Sequence, residues 1–273
     1  PVVVGTVDAA AESVSVGVVS PGQMMLMYGS TIFMYIIQSK PIIDERLWAC
    51  RYVFEGTSAI AAGMATSGAL TRWFRDQLAP DLVQQEQESG KNAYGVLVEQ
   101  AASIPPGSEG LVVLPYFSGE RTPVNDPRAR GTYFGLTLAH TRAHLFRAAL
   151  EGVAYGINHH FEILRQHDGE PEEVVAVGGG TKNPVWLQAV SDACNVVQRV
   201  PAVTVGASYG DSFLAGMGAE VFSCYHDINR WMNYVKKVEP NAGNHAVYQK
   251  YYQVYRELYE RNKDLMHDLY SLV

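Results

Sequence analysis

Cysteine is scarce in this chain of 273 residues: Cys50, Cys194 and Cys224 are few, odd in number and far apart. No Cys-x-x-Cys pair or short Cys/His array occurs. That excludes a disulfide scaffold and a zinc ribbon, and suits three ordinary thiols in a reducing, cytoplasmic compartment. Long apolar runs are missing as well. None approaches the roughly 20 residues of a membrane-spanning helix, so no membrane partner is expected. Positive charge is short: 21 Lys and Arg face 28 Asp and Glu, for a net charge of −7. The basic footprint of a nucleic-acid binder is therefore absent. The opening PVVVG has neither Met nor a charged n-region. It does not read as a signal peptide; it reads as a strand cut from inside a longer protein.

What is present suits a folded enzyme-sized domain. Hydrophobic residues make up 47% and charged residues 18%, enough to bury a core and too little charge for disorder. The length allows one large domain or two small ones, and no repeat or low-complexity linker divides it. Residues 2–4 form a β-branched run, followed by a helix at 9–16. Val18 and Val19, then residues 23–28, flank Ser20-Pro21-Gly22-Gln23, whose Pro and Gly placement predicts a type II turn and a hairpin. A second turn at Gly29-Ser30 leads into a strand at 31–37. Helical spacing of Ile60, Met64, Trp73, Phe74 and Leu78 predicts one helix over 57–78. Further helices are expected at 92–102, 141–166 and 211–221. Strands are expected at 111–114 and 173–177 and within 196–205. From residue 247 onward a stripe of Tyr248, Tyr251, Tyr252, Tyr255, Leu258 and Tyr259 marks a helix docked on the domain; the sharper reading is a homodimer interface. The order of strands and helices suits an α/β fold.

Several residues could carry chemistry. Asp8 opens a helix, where Asp is a favoured N-cap. A carboxylate at the end of a strand can equally orient a hydroxyl and accept its proton. Tyr28-Gly29-Ser30-Thr31 is a glycine turn between strands that can aim amides and hydroxyls at phosphate oxygens. Gly68 and Arg72 lie four apart, on one helix face; a glycine inside a helix has a packing reason or a ligand reason. Gly178-Gly179-Gly180-Thr181-Lys182-Asn183-Pro184 joins a strand to a helix, with Asn183 suited to the N-cap and Pro184 to the first turn. Such a junction is a seat for an anion or nucleotide. It is neither a G-x-x-x-x-G-K-[ST] loop nor a G-x-G-x-x-G fingerprint.

Two patterns point elsewhere. Gly206-Ala207-Ser208-Tyr209-Gly210 fits the G-x-S-x-G elbow of a hydrolase, but the chain beyond Gly210 reads mainly as helices and leaves no strands for the Asp and His of a triad. His140 and His144 share a helix face as in a zinc helix, but Thr141 stands where H-E-x-x-H needs glutamate. No protein metal ligands are assigned.

The frame that relates these pieces is residues 131–151, GTYFGLTLAHTRAHLFRAALE, with LPYFSGERTPVNDPRARG before it and VVAVGGGTKNPVWLQ after it. Together they resemble the C-terminal, nucleotide-binding half of an FGGY-family carbohydrate kinase, closest in texture to its xylulokinase-like members. The resemblance implies the ribonuclease H-like fold of actin-like ATPases, a mixed sheet flanked by helices. Residues 1–238 would form the C-terminal nucleotide-binding domain and 239–273 a helical tail packed on it. The N-terminal sugar-binding domain would be absent from the chain.

It also implies ATP-dependent phosphorylation of a sugar or polyol, a pentulose such as xylulose foremost, with Mg²⁺ accompanying ATP. Asp8 would be the catalytic base, within a VGTVDAAA segment where Thr6 and Val7 replace the family's smaller residues. Gly29 and Ser30 would approach the transferred phosphate. Gly68, Arg72, Gly179, Gly180 and Asn183 would meet the nucleotide. The alternative from another class is a non-catalytic nucleotide-binding or assembly module on the actin-like fold, which would keep the glycine seats and not need Asp8.

Overall fold

The computed structural model describes residues 2–272. In chain order the elements are α1 (Asp8–Ser15), β1 (Gln23–Tyr28), β2 (Ile32–Gln38), β3 (Trp48–Arg51), β4 (Ser58–Met64), α2 (Gly68–Leu78), α3 (Pro80–Ser89), α4 (Ala93–Ala102), β5 (Val112–Leu114), β6 (Thr132–Phe134), α5 (Arg142–Gln166), β7 (Glu173–Val177), α6 (Pro184–Cys194), β8 (Gln198–Pro201), α7 (Ala207–Gly218), β9 (Tyr234–Val238) and α8 (Ala242–Ser271). Seven strands form one sheet in the order β3-β4-β2-β1-β7-β8-β9, and β5 pairs only with β6. The β1, β7 and β8 neighbours run parallel and the others antiparallel, so the sheet is mixed.

Alternation along the central strands sorts the core into two layers. Met24, Leu26 and Tyr28 of β1, with Val174 and Ala176 of β7, face a large core shared with α2, α4, α5, α6 and α8. Met25, Val175 and Val177 face the other way, onto Ala10 and Val14 of α1 and Phe213 of α7. Helices thus cover both faces, as the resemblance implies. Glu151, buried in α5, is fully partnered: it accepts from the Gly107 amide at 3.1 Å, Ser108 Oγ at 2.8 Å, Arg147 Nε at 2.7 Å and Tyr248 Oη at 2.8 Å. This pins α8 to α5. The tyrosine stripe of α8 packs inward, with Tyr248, Tyr252, Tyr255 and Leu258 buried and Tyr251 and Tyr259 against the same core.

Four expectations need correction. Residues 2–4 are not a strand; residues 2–7 are exposed and belong to no strand. The sheet's central strand β1 already has β2 and β7 on its two sides, so the valines find no edge there. The turn at Ser20 to Gln23 exists, with Gln23 N donating to Ser20 O at 3.1 Å and Gly22 at φ +85°. Val18 and Val19 are nevertheless not its first strand. The Val19 and Ser20 amides bond Gln23 Oε1, each at 2.9 Å, and the hairpin is β1–β2. The single helix over 57–78 is instead β4 followed by α2, because residues 58–64 are held between β2 and β3. Finally, just past the expected end of that helix, Pro80 opens a helix that was not expected, α3, as a first-turn proline.

Candidate functional site

A cavity of about 590 Å³ opens where β1 and the parallel β7 end. Crevices at the carboxyl ends of parallel strands are where α/β sheets bind ligands. Gly29, Ser30, Gly68, Arg72, Gly179, Gly180 and Asn183 all line it. Residues separated by up to 154 positions in sequence, from Gly29 to Asn183, therefore converge on one space. The β1–β2 turn forms one wall and the start of α2 another; the two are tied by Ser67 N to Ser30 O at 3.1 Å, Gly68 N to Gly29 O at 3.0 Å and Ala69 N to Ser30 O at 3.0 Å.

The glycines serve different purposes. At Gly68 a Cβ would lie 2.4 Å from Gly29 O, so its absence lets α2 start directly against the turn. At Gly180 a Cβ would press on Trp186 and Tyr28, both at 2.8 Å, and Gly178 needs its φ of +91°. Gly179 differs: nothing lies within 4 Å of its Cβ position. Its backbone faces open cavity, the condition for close approach of a ligand. Asn183 caps α6 by accepting the Trp186 amide on Oδ1 at 3.1 Å, and its Nδ2 makes no hydrogen bond among the described residues. Two donor hydrogens are therefore free for a ligand.

The charge of the cavity is one-sided. Arg72 and Lys182 line it, neither in an ion pair among the described residues, and the lining holds no carboxylate. In a chain of net charge −7 this is a local positive field suited to an anion. The same fact bears on Mg²⁺. Among the described residues no group of three or more His, Cys, Asp or Glu side chains could hold a metal ion. The cavity's own residues do not fit the ion as a ligand set, so the anion's oxygens would have to carry it.

Sequence reading missed Lys182, Thr71, Trp186 and the contribution of α4. Lys182 lies between the expected contacts Gly180 and Asn183, and its charge at a glycine turn is the available signal. Asn92, Tyr94, Gly95 and Val98 reach the cavity only because α4 packs against α5 and α6, which no local pattern announces.

Asp8 is not brought to this cavity. It is exposed on α1, which packs on the opposite face of the sheet, and its Oδ1 accepts only the Ala9 amide at 2.7 Å. The N-cap reading is also corrected: Val7 is the cap, and Asp8 is the first helical residue. There its charge favours the positive end of the helix. Of the two other patterns, Ser208 sits in the first turn of α7 with no histidine bonded to its hydroxyl among the described residues, and at Gly210 a Cβ would lie 1.8 Å from Ala11 O. His144 Nδ1 closes the capping box of α5 with Thr141, and Nε2 lies 3.2 Å from Glu109.

Comparison with known proteins gives this arrangement a relation. Residues 24–219 match the sequence model of the FGGY family of carbohydrate kinases, C-terminal domain. A gluconokinase of Bacillus subtilis is 34% identical over 194 residues, covering 70% of this chain and 38% of the relative. A xylulose kinase of Staphylococcus epidermidis is 33% identical, covering 66% of this chain and 36% of the relative. The crystal structure of a xylulose kinase from Rhodospirillum rubrum superposes with a TM-score of 0.87 at 31% identity, over 96% of this chain and 52% of that one. A Plasmodium falciparum glycerol kinase with ADP, at 19% identity and a TM-score of 0.77, shares the fold. The chain spans roughly a third to a half of the length of these relatives. The fold is that of the actin-like ATPases, and the chain belongs to the FGGY family of carbohydrate kinases, matching its C-terminal domain.

Proposed function

We propose that this chain is the nucleotide-binding half of an ATP-dependent kinase acting on a sugar or polyol hydroxyl. The observation that carries the reading is the convergence of all seven expected nucleotide residues on one cavity with two free cations and no acid. The adenosine part would lie along Gly179 and Asn183, and the phosphates would run past Arg72 toward Gly29 and Ser30. Residues 1–238 make up the nucleotide-binding domain and 239–273 a tail that braces it. An N-terminal sugar-binding half completes the enzyme, and xylulose or another pentulose is the favoured acceptor, because xylulose kinases recur among the relatives.

In this scheme the chain's residues act by positioning. Phosphoryl transfer needs little covalent help from the protein; it needs aligned reactants and balanced charge. Arg72 and Lys182 supply fixed positive charge, and the turn at Gly29 and Ser30 holds the transferred group. Mg²⁺ contributes charge neutralisation when it arrives with the nucleotide. Asp8 takes the proton of the acceptor hydroxyl once the other half presents that hydroxyl to it. Sugar-dependent ADP release by the full-length protein, run with xylulose, gluconate and glycerol, tests the reading; no release with any of them overturns it.

The exposed Asp8, outside the cavity lining, favours a second reading, a nucleotide-binding or assembly module without transfer. Nucleotide binding by a full-length protein that releases no ADP would establish it.

A further inference from the structure

Strand β3 covers β4 only as far as Ala61, the partner of Trp48. Beyond that point the loop after β5 takes over the edge. The Gly63 amide donates to Thr122 Oγ1 at 2.7 Å, and the Ala65 amide donates to Glu120 Oε1 at 2.6 Å. The same carboxylate oxygen accepts the Arg121 amide at 2.7 Å.

The loop is well fixed from behind. Glu120 N donates to Asp126 O at 2.8 Å and Asp126 N to Glu120 O at 3.0 Å. His160 Nδ1 lies 2.9 Å from Gly156 O, and a carbonyl only accepts, so Nδ1 carries a proton. Burial holds this imidazole down to about 4 and so neutral, which leaves Nε2 an acceptor that shares the one Thr122 hydroxyl proton with Gly63 O, each at 3.1 Å.

What Glu120 anchors leads straight to the cavity. After Ala65 comes Thr66, whose hydroxyl is buried without a partner, and then the amides of Ser67, Gly68 and Ala69 that bond the carbonyls of Gly29 and Ser30. Glu120 is an expensive anchor. It is 6% exposed, forms no ion pair among the described residues, and its Oε2 has no hydrogen-bond partner. A buried carboxyl without a cation costs stability. Its place, bonded to the Ala65 amide at the head of the segment that leads to the cavity, points to a task other than stability.

We propose that Glu120 is a positioning residue for phosphoryl transfer: it fixes residues 65–68 and, through them, the Gly29–Ser30 turn beside the transferred phosphate. This rests on the kinase reading above. It differs from the nucleotide contacts in acting only through backbone. Loss of the anchor should therefore slow transfer and spare the adenosine end.

The test uses the full-length protein with Glu120→Ala, Glu120→Asp and Glu120→Gln, measuring kcat, KM for ATP, ADP affinity and Tm. Glu120→Asp keeps the carboxyl but withdraws the acceptor; Glu120→Gln keeps an oxygen that can accept both amides. Misplacement by about 1 Å costs up to roughly a hundredfold, so kcat should fall about ten- to a hundredfold in the Ala and Asp variants. ADP affinity should stay within about twofold, and Glu120→Gln should keep kcat within about threefold, in line with a neutral acceptor making the same bonds. Should Glu120→Ala fail to fold, the Asp variant decides. Ala or Asp variants that melt early but turn over normally when folded overturn the inference, as does a Gln variant no better than Ala. An active wild type beside fully active variants overturns this inference alone. A wild type that forms no ADP with any sugar overturns the kinase reading and this inference with it.

Discussion

Gly179 is a glycine of the cavity whose Cβ position has no protein atom within 4 Å. It has no positive φ, so a branched residue is not strained there. Gly179→Val should leave Tm nearly unchanged and weaken ADP binding at least about tenfold, a loss of about 1.4 kcal/mol. Calorimetric titration of ADP checks this, and unchanged affinity would remove Gly179 from the nucleotide seat. Asp8 makes a cleaner case still, because it touches so little. Asp8→Asn keeps the oxygen that meets the Ala9 amide and removes the proton acceptor. In the full-length protein, turnover should drop roughly a hundred- to ten-thousand-fold with little change in Tm. Turnover near that of the wild type would strike out the catalytic assignment. Glu120 adds a pH signature. Burial pushes its carboxyl up to about 8, above its unfolded value of 4.5. A raised folded pKa means the stability it contributes is present in acid and is lost as pH rises toward 8. Relative to Glu120→Gln, the wild type should lose up to about 1.4 kcal/mol per pH unit across that window. Urea denaturation of both proteins at several pH values measures the difference, and parallel curves would show that the carboxyl does not stay protonated. The histidines His159 and His160, held down by burial to about 2 and about 4, are common to both proteins and cancel in the comparison.

Elements were legible where one pattern decides them. Helix α5 shows its apolar face at 3.6 spacing, and the β7–α6 junction announces itself through Gly178, Asn183 and Pro184. Strand β4 was not legible. Its sequence SAIAAGM is made largely of good helix formers, and only pairing with β2 and β3 makes it a strand. The exposed edge strand β3, WACR, carries no alternation to read, since all four residues are exposed. Gly29, Gly179, Gly180 and Asn183 could be named from sequence because each sits at a turn or cap, and Gly68 because a glycine on a helix face stands out. The wall supplied by α4 could not, because it depends on packing between distant helices. Packing of α1 against α7 is a further element-scale fact, and it has a sharp consequence. Gly210 meets Ala11 O so closely that Gly210→Ala must push the helices apart. Overpacking of this kind costs about 1–3 kcal/mol. Chemical denaturation should show that loss with ADP affinity intact, because the contact lies on the sheet face away from the cavity. A stable variant with weakened ADP binding would instead mean that the two faces are coupled.

At the scale of the whole molecule, the two faces divide the labour unevenly. One face carries the cavity with its cations and glycines; the other carries α1, with Asp8 exposed at its start. Transfer requires the acceptor hydroxyl and the γ-phosphate to come within about 3–3.5 Å, the spacing of near-attack geometry. Nothing in the cavity lining presents a carboxylate that could act as base there. The chain also covers only about half of the solved xylulose kinase whose fold it shares. On the proposed reading these residues bind the nucleotide and the second half supplies the acceptor face. On that two-half reading, the 273 residues alone should bind ADP or ATP weakly, since the second half would supply one wall of the phosphate site. They should transfer no phosphate to pentuloses, gluconate or glycerol. Adding the other half, covalently or in trans, should restore sugar-dependent ADP formation, and domain closure should then suppress hydrolysis by water. Coupled-assay rates for the chain alone, the other half alone and the mixture check all three statements. Phosphorylation of a sugar by the chain alone at an ordinary kinase rate would place the acceptor pocket within it and end the two-half account.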